Sequence, residues 1–436
     1  MIERALAVVI LAAGRGSRMS SALPKALHGL AGRPMIHYLL DYVAPLDPEK
    51  IVLVIGPDMP EVREAVAPHE TVIQETPRGT GDAVKAALPA LEGFTGDVLI
   101  LYGDHPLVTT ESCRRLIAAQ TGGLSLFAME PKIPGAYGRI VAGPDGTVEK
   151  IVEFADCNEE QKNITLCNGA MYCVRGDRLA GWLAQLTDDN AQGEFYLTDI
   201  VEIAAREGAS CRYVLIGEEE MAAANTRAEL ASLERTIQAR LRAAAMENGA
   251  TLIDPETVYF SWDTKLGRDV IVEPNVFFGP GVEIENGVHI KAFSYLEGAT
   301  IGHGTAVGPF ARLRPGTLIG AGSKIGNFVE IKNATLHEGV KAGHHAYIGD
   351  AEIGAGVNYS CGAITANYDG AQKHKTIIGA QAFIGSNVTL IAPVAIGDNA
   401  YLAAGSTITK DVPAKALGIA RERKQTVIDD WTKRKR

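Results

Sequence analysis

The stretch Leu11-Ala12-Ala13-Gly14-Arg15-Gly16-Ser17-Arg18, followed shortly by Leu23-Pro24-Lys25, combines glycines with fixed positive charge. Glycine lets main-chain N–H groups approach a phosphate closely, and Arg18 and Lys25 add charge at the same place. The stretch lacks the third glycine of a dinucleotide fingerprint and the Gly-Lys-Ser/Thr ending of a P-loop, so neither motif is supported. Tyr102-Gly103-Asp104-His105-Pro106 sets a carboxylate directly after the apolar run Val98-Leu99-Ile100-Leu101. That position suits Mg2+, which keeps most of its waters and takes one or two protein oxygens besides those of a phosphate. Gly79-Thr80-Gly81-Asp82-Ala83 offers another glycine turn ahead of a helix, and Gln74 could bond the edge of a base. Each motif has a plainer reading: a tight turn with solvated arginines, or an aspartate capping a helix before Pro106.

A second set lies in the other half of the chain: Arg312, Arg314, Glu330, Lys332, His344, Tyr347, Asn358, Asn367, Tyr368 and Lys373. For any one Arg or Lys a solvated outer face explains the charge. His344, in Lys341-Ala342-Gly343-His344-His345-Ala346-Tyr347, is different in kind, because imidazole has a pKa suited to proton transfer near neutrality. A lone histidine is nonetheless more often structural.

These residues need elements to place them. Up to about residue 225, short apolar runs (Val8–Leu11, Ile51–Ile55, Val72–Gln74, Val98–Tyr102, Leu124–Phe127, Tyr213–Ile216) alternate with helix-length segments. This pattern predicts an α/β domain with a mostly parallel sheet, whose ligands bind beyond the carboxyl ends of the strands. Gly14, Gln74 and Asp104 all fall there. Residues 226–247 have helical spacing, with Leu230, Leu233, Ile237, Leu241 and Ala244 on one face and Glu234, Arg235, Arg240 and Arg242 largely off it. Thr226 with Glu229 makes a capping-box start, and Gly249 a stop. The expected division is 1–225, a linking helix at 226–249, and 250–436.

Past residue 270 the period becomes six. Val272, Phe278, Ile284, Ile290 and Leu296 form one run; Ile301, Val307, Leu313, Ile319, Ile325 and Ile331 a second, with Leu336, Ala342 and Ile348 resuming it; Ile378, Ile384, Leu390, Ile396, Leu402 and Ile408 a third. Four residues after most of these stands a small or β-branched side chain. A period of six is neither helical nor simple strand alternation; it marks a parallel β-helix whose aliphatics stack inward, at roughly 18 residues per coil and about eight coils. Periodicity does not give the hand. Between Gly362 and Thr376 the register is lost, and Asn367-Tyr368-Asp369-Gly370 reads as a projecting loop.

The 436 residues allow two or three domains of roughly 100–200 residues each. With 42 Lys+Arg against 52 Asp+Glu, net −10, a broad nucleic-acid-binding surface is not expected, while local phosphate sites are unaffected. The six cysteines contain no CxxC pair, so neither a zinc site nor a disulfide framework is indicated, and a reducing cytoplasm fits best. Arg4 before the apolar run Ala5–Ala13 superficially resembles a signal peptide, but Glu3, the short run and its exit into a glycine loop favour a strand. No apolar run reaches the ~18 residues of a membrane span. The basic tail Lys433-Arg434-Lys435-Arg436 reads as a solvated end.

Leu-Ala-Ala-Gly-x-Gly-x-Arg-Met, Leu-Pro-Lys, Gln-Glu-Thr-Pro-Arg-Gly-Thr-Gly-Asp-Ala and Leu-Tyr-Gly-Asp-His-Pro-Leu together resemble the nucleoside-diphosphate-sugar pyrophosphorylases. With the linking helix and hexapeptide repeats behind them, nearly the whole chain resembles the bifunctional N-acetylglucosamine-1-phosphate uridylyltransferase/glucosamine-1-phosphate N-acetyltransferases. The resemblance implies a Rossmann-like N-terminal domain, a left-handed β-helix and a homotrimer. It implies Mg2+ as cofactor, acetyl-CoA as co-substrate, and supply of UDP-N-acetylglucosamine for bacterial cell-envelope polymers. Carried over, Leu11, Ala12, Ala13, Gly14, Gln74, Gly79, Thr80, Tyr102 and Gly103 hold the uridine and phosphate parts of UTP; Lys25 and Arg18 offset charge on the transferring phosphate; Gly138, Glu153 and Asn168 contact the acetylated sugar; Asp104 and Asn225 share Mg2+. In the second half His344 is the general base and Glu330 orients it. Arg314 and Lys332 hold the sugar phosphate, Tyr347 and Asn358 the sugar, and Cys361, Asn367, Tyr368, Ser386, Ala404 and Arg421 the coenzyme. Where relatives read Ile-Gly-Ala-Gly, this chain has Tyr359-Ser360-Cys361-Gly362, which puts a thiol beside the coenzyme. Two alternatives stay open: a nucleotidyltransferase whose β-helix serves only oligomerisation or regulation, and a sensor without catalysis.

Overall fold

A computed structural model describes residues 4–421, so the basic C-terminal tail lies outside the described residues. The chain divides into two compact units, Met1–Ile237 and Gln238–Arg436. The division falls inside a helix, Arg227–Glu247. Thr226 and Glu229 cap it reciprocally: the Glu229 N–H donates to Thr226 Oγ1 at 3.2 Å, and the Thr226 N–H to Glu229 Oε2 at 2.9 Å.

In the first unit the sheet runs Cys211–Leu215, Leu124–Met129, Cys167–Arg175, Asp97–Tyr102, Leu6–Leu11, Lys50–Ile55, Glu70–Ile73. All neighbours are parallel except Cys167–Arg175, which is antiparallel to both strands it touches. The apolar-run pattern misses this strand because Asn168, Gly169 and Arg175 interrupt its hydrophobic content. A hairpin, Arg139–Ala142 with Val148–Val152, joins the sheet through the pairing of Arg139 with Cys167. The strands are buried on both faces, with Val8, Val9, Leu99 and Ile100 fully covered, as a sheet between two helix layers requires.

The second unit is a parallel β-helix with 22 strands among the described residues, from Thr251–Leu252 to Leu417–Gly418, all of two or three residues except Lys324–Leu336 and Lys341–Ile353. Every aliphatic of the six-residue register is buried, from Val272 and Phe278 through Ile331 and Ile348 to Leu402 and Ile408. So are the small residues between them, Thr305, Thr317, Ser323 and Ser406 among them. Lys265 faces Glu283 and Arg312 faces Glu330 one coil on, so outward residues form columns.

The solenoid begins at Thr251, beside the expected boundary at 250 and about one coil before the six-residue run becomes visible, with Phe260 stacked on Phe278 at 5.1 Å. Two expectations need correction. Register is kept through Ile364–Ala366, which pairs with Thr389–Ile391; the interruption is confined to 367–375. On the helix, Ala244 is exposed while Arg242 is buried, donating to the carbonyl of Val258 at 3.3 Å, and Gln238 exchanges two bonds with the Phe260 backbone. Hydropathy misplaces that face because backbone carbonyls satisfy its polar groups.

Candidate functional sites

At the carboxyl ends of the first-unit strands lies a cavity of about 280 Å³, lined by Leu11, Ala12, Ala13, Gly14, Lys25, Gln74, Gly79, Thr80, Tyr102, Gly103 and Asp104. Ala26, Pro77, Ala83 and Glu194 also line it and were not among the expected site residues. Gly16 has φ 73° and packs where a side chain would meet Lys25 Cβ at 3.0 Å, so the loop can close onto that lysine only with glycine. Gly79, at φ 109°, would carry a Cβ 2.6 Å from the Phe195 carbonyl.

Lys25 donates to both Asp104 Oδ2 and Asn225 Oδ1, the latter at 2.7 Å, and Arg18 donates to the same Asn225 oxygen at 3.0 Å. Asn225 reaches the site because the Ala224 N–H bonds the Asp104 carbonyl at 3.3 Å and Glu229 holds the Asn225 N–H at 2.7 Å. A carboxylate oxygen and an amide oxygen thus converge on one cation, which is the hard-oxygen donor set that suits Mg2+. Asp104 Oδ1 accepts from His105 Nδ1 at 3.0 Å. Burial alone would raise the Asp104 pKa, but His105 and then Lys25 hold it well below the usual carboxylate range. Sequence reading did not single out His105; its place beside Asp104 was the available signal.

Gln74 is buried and spends its amide on the Gly79 carbonyl at 3.1 Å and Asp82 Oδ2 at 2.8 Å, so Asp82 fixes its orientation. Gly138, Glu153 and Asn168 come together where the hairpin meets the strand. The Asn168 N–H donates to the Gly138 carbonyl at 2.9 Å, and a Cβ on Gly138 would lie 3.4 Å from Glu153 Oε2. Burial raises the Glu153 pKa, while Thr198, donating at 3.2 Å, works in the opposite direction.

In the second unit His344 stands at a tight corner. Gly343 approaches so closely that a Cβ on Gly326 would sit 1.6 Å from its carbonyl oxygen. The neighbouring His345 stacks on Phe328 at 4.9 Å, whereas the His344 ring makes no hydrogen bond among the described residues. No hydrogen bond joins Glu330 to His344 among the described residues; the Glu330 carboxylate takes Arg314 Nη1 at 2.9 Å. Lys332 lies against Lys373, and the bond and repulsion between the two amines lower the Lys332 pKa. Tyr347 follows Glu330 in its column and lies over Gly349, where a Cβ would meet the phenol oxygen at 2.4 Å. Asn358 bonds Ser360 at 2.9 Å, and Asn367 bonds Asp350. Tyr368 is exposed on the loop and donates to the Gly370 carbonyl at 2.6 Å.

Four of the six expected coenzyme residues, Cys361, Ser386, Ala404 and Arg421, form a file over successive coils. The Asn387 N–H bonds the Cys361 carbonyl, the Gly405 N–H beside Ala404 bonds the Ser386 carbonyl, both at 2.8 Å, and Arg421 lies against Gly405. Cys361 is half-buried; the other five cysteines are buried, and all are free.

Residues 8–189 match the family model of the MobA-like NTP transferase domain, and residues 263–298, 298–333 and 375–410 match that of the bacterial transferase hexapeptide (six repeats). Fold and sites therefore define a two-domain transferase, a nucleotidyltransferase unit followed by a hexapeptide-repeat unit. Proteins named bifunctional protein GlmU are similar along almost the whole chain. That of Paramagnetospirillum magneticum is 50% identical over 438 residues, covering 100% of this chain and 97% of its own. That of Sphingopyxis alaskensis is 50% identical over 434 residues (98% and 96%), and that of Gluconobacter oxydans 52% over 389 (88% and 86%). The chain belongs to the bifunctional GlmU family.

Proposed function

We propose that this chain makes UDP-N-acetylglucosamine in two steps: acetyl transfer from acetyl-CoA to glucosamine-1-phosphate, then uridylyl transfer from UTP to the resulting N-acetylglucosamine-1-phosphate, releasing pyrophosphate. The observation that carries this reading is full-length membership of a bifunctional family by a chain with two clusters suited to the two reactions. The product would feed bacterial peptidoglycan and lipopolysaccharide synthesis.

For uridylyl transfer, the sugar-phosphate oxygen attacks the α-phosphorus of UTP in line and pyrophosphate leaves. The nucleophile is already anionic, so no general base is required, and positioning and charge neutralisation supply the catalysis. Lys25 and Arg18 face the transferring phosphate. Leu11 to Gly14, Gln74, Gly79, Thr80, Tyr102 and Gly103 hold the nucleotide, and Gly138, Glu153 and Asn168 hold the sugar. Asp104 and Asn225 would hold Mg2+, which when bound supplies further neutralisation of phosphate charge. Their convergence on the Lys25 ammonium supports this assignment.

For acetyl transfer, the 2-amino nitrogen attacks the thioester carbonyl, His344 takes its proton, and coenzyme A leaves as the thiol after protonation. The unpaired ring of His344 favours it over His345. Glu330 acts through Arg314 rather than on His344, and Arg314 with Lys332 and Lys373 makes the basic cluster that receives the sugar phosphate. Tyr347 and Asn358 bind the sugar; Cys361, Asn367, Tyr368, Ser386, Ala404 and Arg421 bind the coenzyme. The working form is a homotrimer; the exposed stack Phe293–Phe310–Phe328 at 5.0 and 5.2 Å offers apolar surface for a subunit contact. Cytoplasmic placement accords with six free cysteines, and no helix among the described residues is long and apolar enough to cross a membrane.

Incubating the purified chain with glucosamine-1-phosphate, acetyl-CoA, UTP and Mg2+ tests this directly. UDP-N-acetylglucosamine is expected by mass spectrometry, absent without acetyl-CoA and restored by N-acetylglucosamine-1-phosphate. Product from the acetylated sugar phosphate alone would reduce the chain to a nucleotidyltransferase with a structural β-helix.

A further inference from the structure

Arg139 is 2% exposed and forms no ion pair with a carboxylate among the described residues. Its guanidinium is held by peptide carbonyls. Nη2 donates to the Gly135 carbonyl at 2.9 Å, and Nη1 to that of Tyr137 and, at 3.5 Å, to that of Pro134. Nη1 also lies 3.8 Å from Cys167 Sγ, and the guanidinium carbon is 5.0 Å from the centre of the Phe154 ring. Nε, also buried, has no partner. An unsatisfied buried donor is costly, and a buried cation without a carboxylate more so, so an apolar side chain would fill this space more favourably if packing were its only task.

The choice of contacts shows what the cation organises. Gly135 and Tyr137 belong to the loop that ends at Gly138; Phe154 follows Glu153; Cys167 precedes Asn168. Each of the three residues assigned to the sugar therefore has a chain neighbour in contact with one guanidinium. The backbone repeats the arrangement, since Arg139 pairs with Val152 on one side and Cys167 on the other. The loop itself has little else to hold it: Ile133 is 79% exposed and Tyr137 42%.

We infer that Arg139 is a positioning residue for the sugar-phosphate subsite, clamping the loop before Gly138 against the segments that carry Glu153 and Asn168. The inference rests on the assignment of those three residues to the sugar. It does not involve the nucleotide, because none of the residues that the Arg139 guanidinium bonds or stacks on lines the cavity.

The test compares wild type, Arg139→Met and Arg139→Lys in the full chain, with the urea-unfolding midpoint of the first unit as the check of folding. For uridylyl transfer, Arg139→Met is expected to raise KM for N-acetylglucosamine-1-phosphate at least tenfold, leaving KM for UTP within about twofold, with Arg139→Lys intermediate. An equal rise in both constants, or no change in either, overturns the inference. If Arg139→Met leaves the first unit unfolded under assay conditions, Phe154→Leu, which removes the ring contact while keeping the cation, takes its place; it must shift the same constant in the same direction, and no shift overturns the inference. Failure of wild type to use the sugar phosphate at all would instead overturn the underlying assignment.

Discussion

Lys25 is where a phosphate cradle parts from an ordinary turn. In a simple turn its ammonium would be solvated; here it lies against Asp104 and Asn225 with 14% of the side chain exposed. Removing it leaves two oxygens without their cation and, in its proposed role, takes charge from the transferring phosphate. Lys25→Ala is therefore expected to lower UTP-dependent pyrophosphate formation by about 10²-fold or more while acetyl transfer is unchanged, measured on the same preparation. Asp199 allows a different test. Burial first, then Glu202, Glu153 and Asp156, push its pKa up to about 6, so its ionised form is disfavoured in the folded state. The penalty is absent below the unfolded value of about 3.9, grows as pH rises toward 6, and is complete above it. Asp199→Asn should raise stability by about 1–2 kcal/mol at pH 7.5 and by nothing near pH 3.5, read from urea midpoints. A gain that persists at low pH would contradict this. Cys361 is the one cysteine that is not buried. A maleimide should slow acetyl transfer and spare uridylyl transfer, with Cys361→Ala abolishing the sensitivity.

Among the elements, the coil corner beneath His344 is the most constrained. No side chain fits at Gly326, because the Gly343 carbonyl occupies the space. Gly326→Ala should displace the His344 corner, lowering acetyl transfer at least tenfold and costing at least about 2 kcal/mol in the β-helix unfolding transition. The same unit explains what sequence could and could not reveal. Inward aliphatics repeat at six because each must stack on the one below, so the buried column from Val272 to Ile408 was legible. The opening coil was not, since Leu252 pairs with Val272, 20 residues on rather than 18, around the turn at Pro255–Thr257, which breaks the six-residue step. In the first unit, glycine turns after apolar strands located the cavity at the carboxyl ends of the strands. Arg139 and His105 were not singled out: their roles depend on bonds to loop carbonyls and to a neighbouring carboxylate that composition does not encode.

For the whole molecule, one chain is expected to house two reactions that can be damaged independently. Light scattering at micromolar concentration should give three times the chain mass; a monomer would contradict the trimer. Separability is tested more directly by measuring coenzyme A release from acetyl-CoA, with and without glucosamine-1-phosphate, in wild type and His344→Ala, alongside UTP-dependent pyrophosphate formation. Sugar-dependent release that His344→Ala abolishes while pyrophosphate formation persists is the predicted result. No sugar-dependent release from folded, oligomeric wild-type protein would contradict it, leaving the β-helix as a scaffold and only the nucleotidyltransferase half as an enzyme.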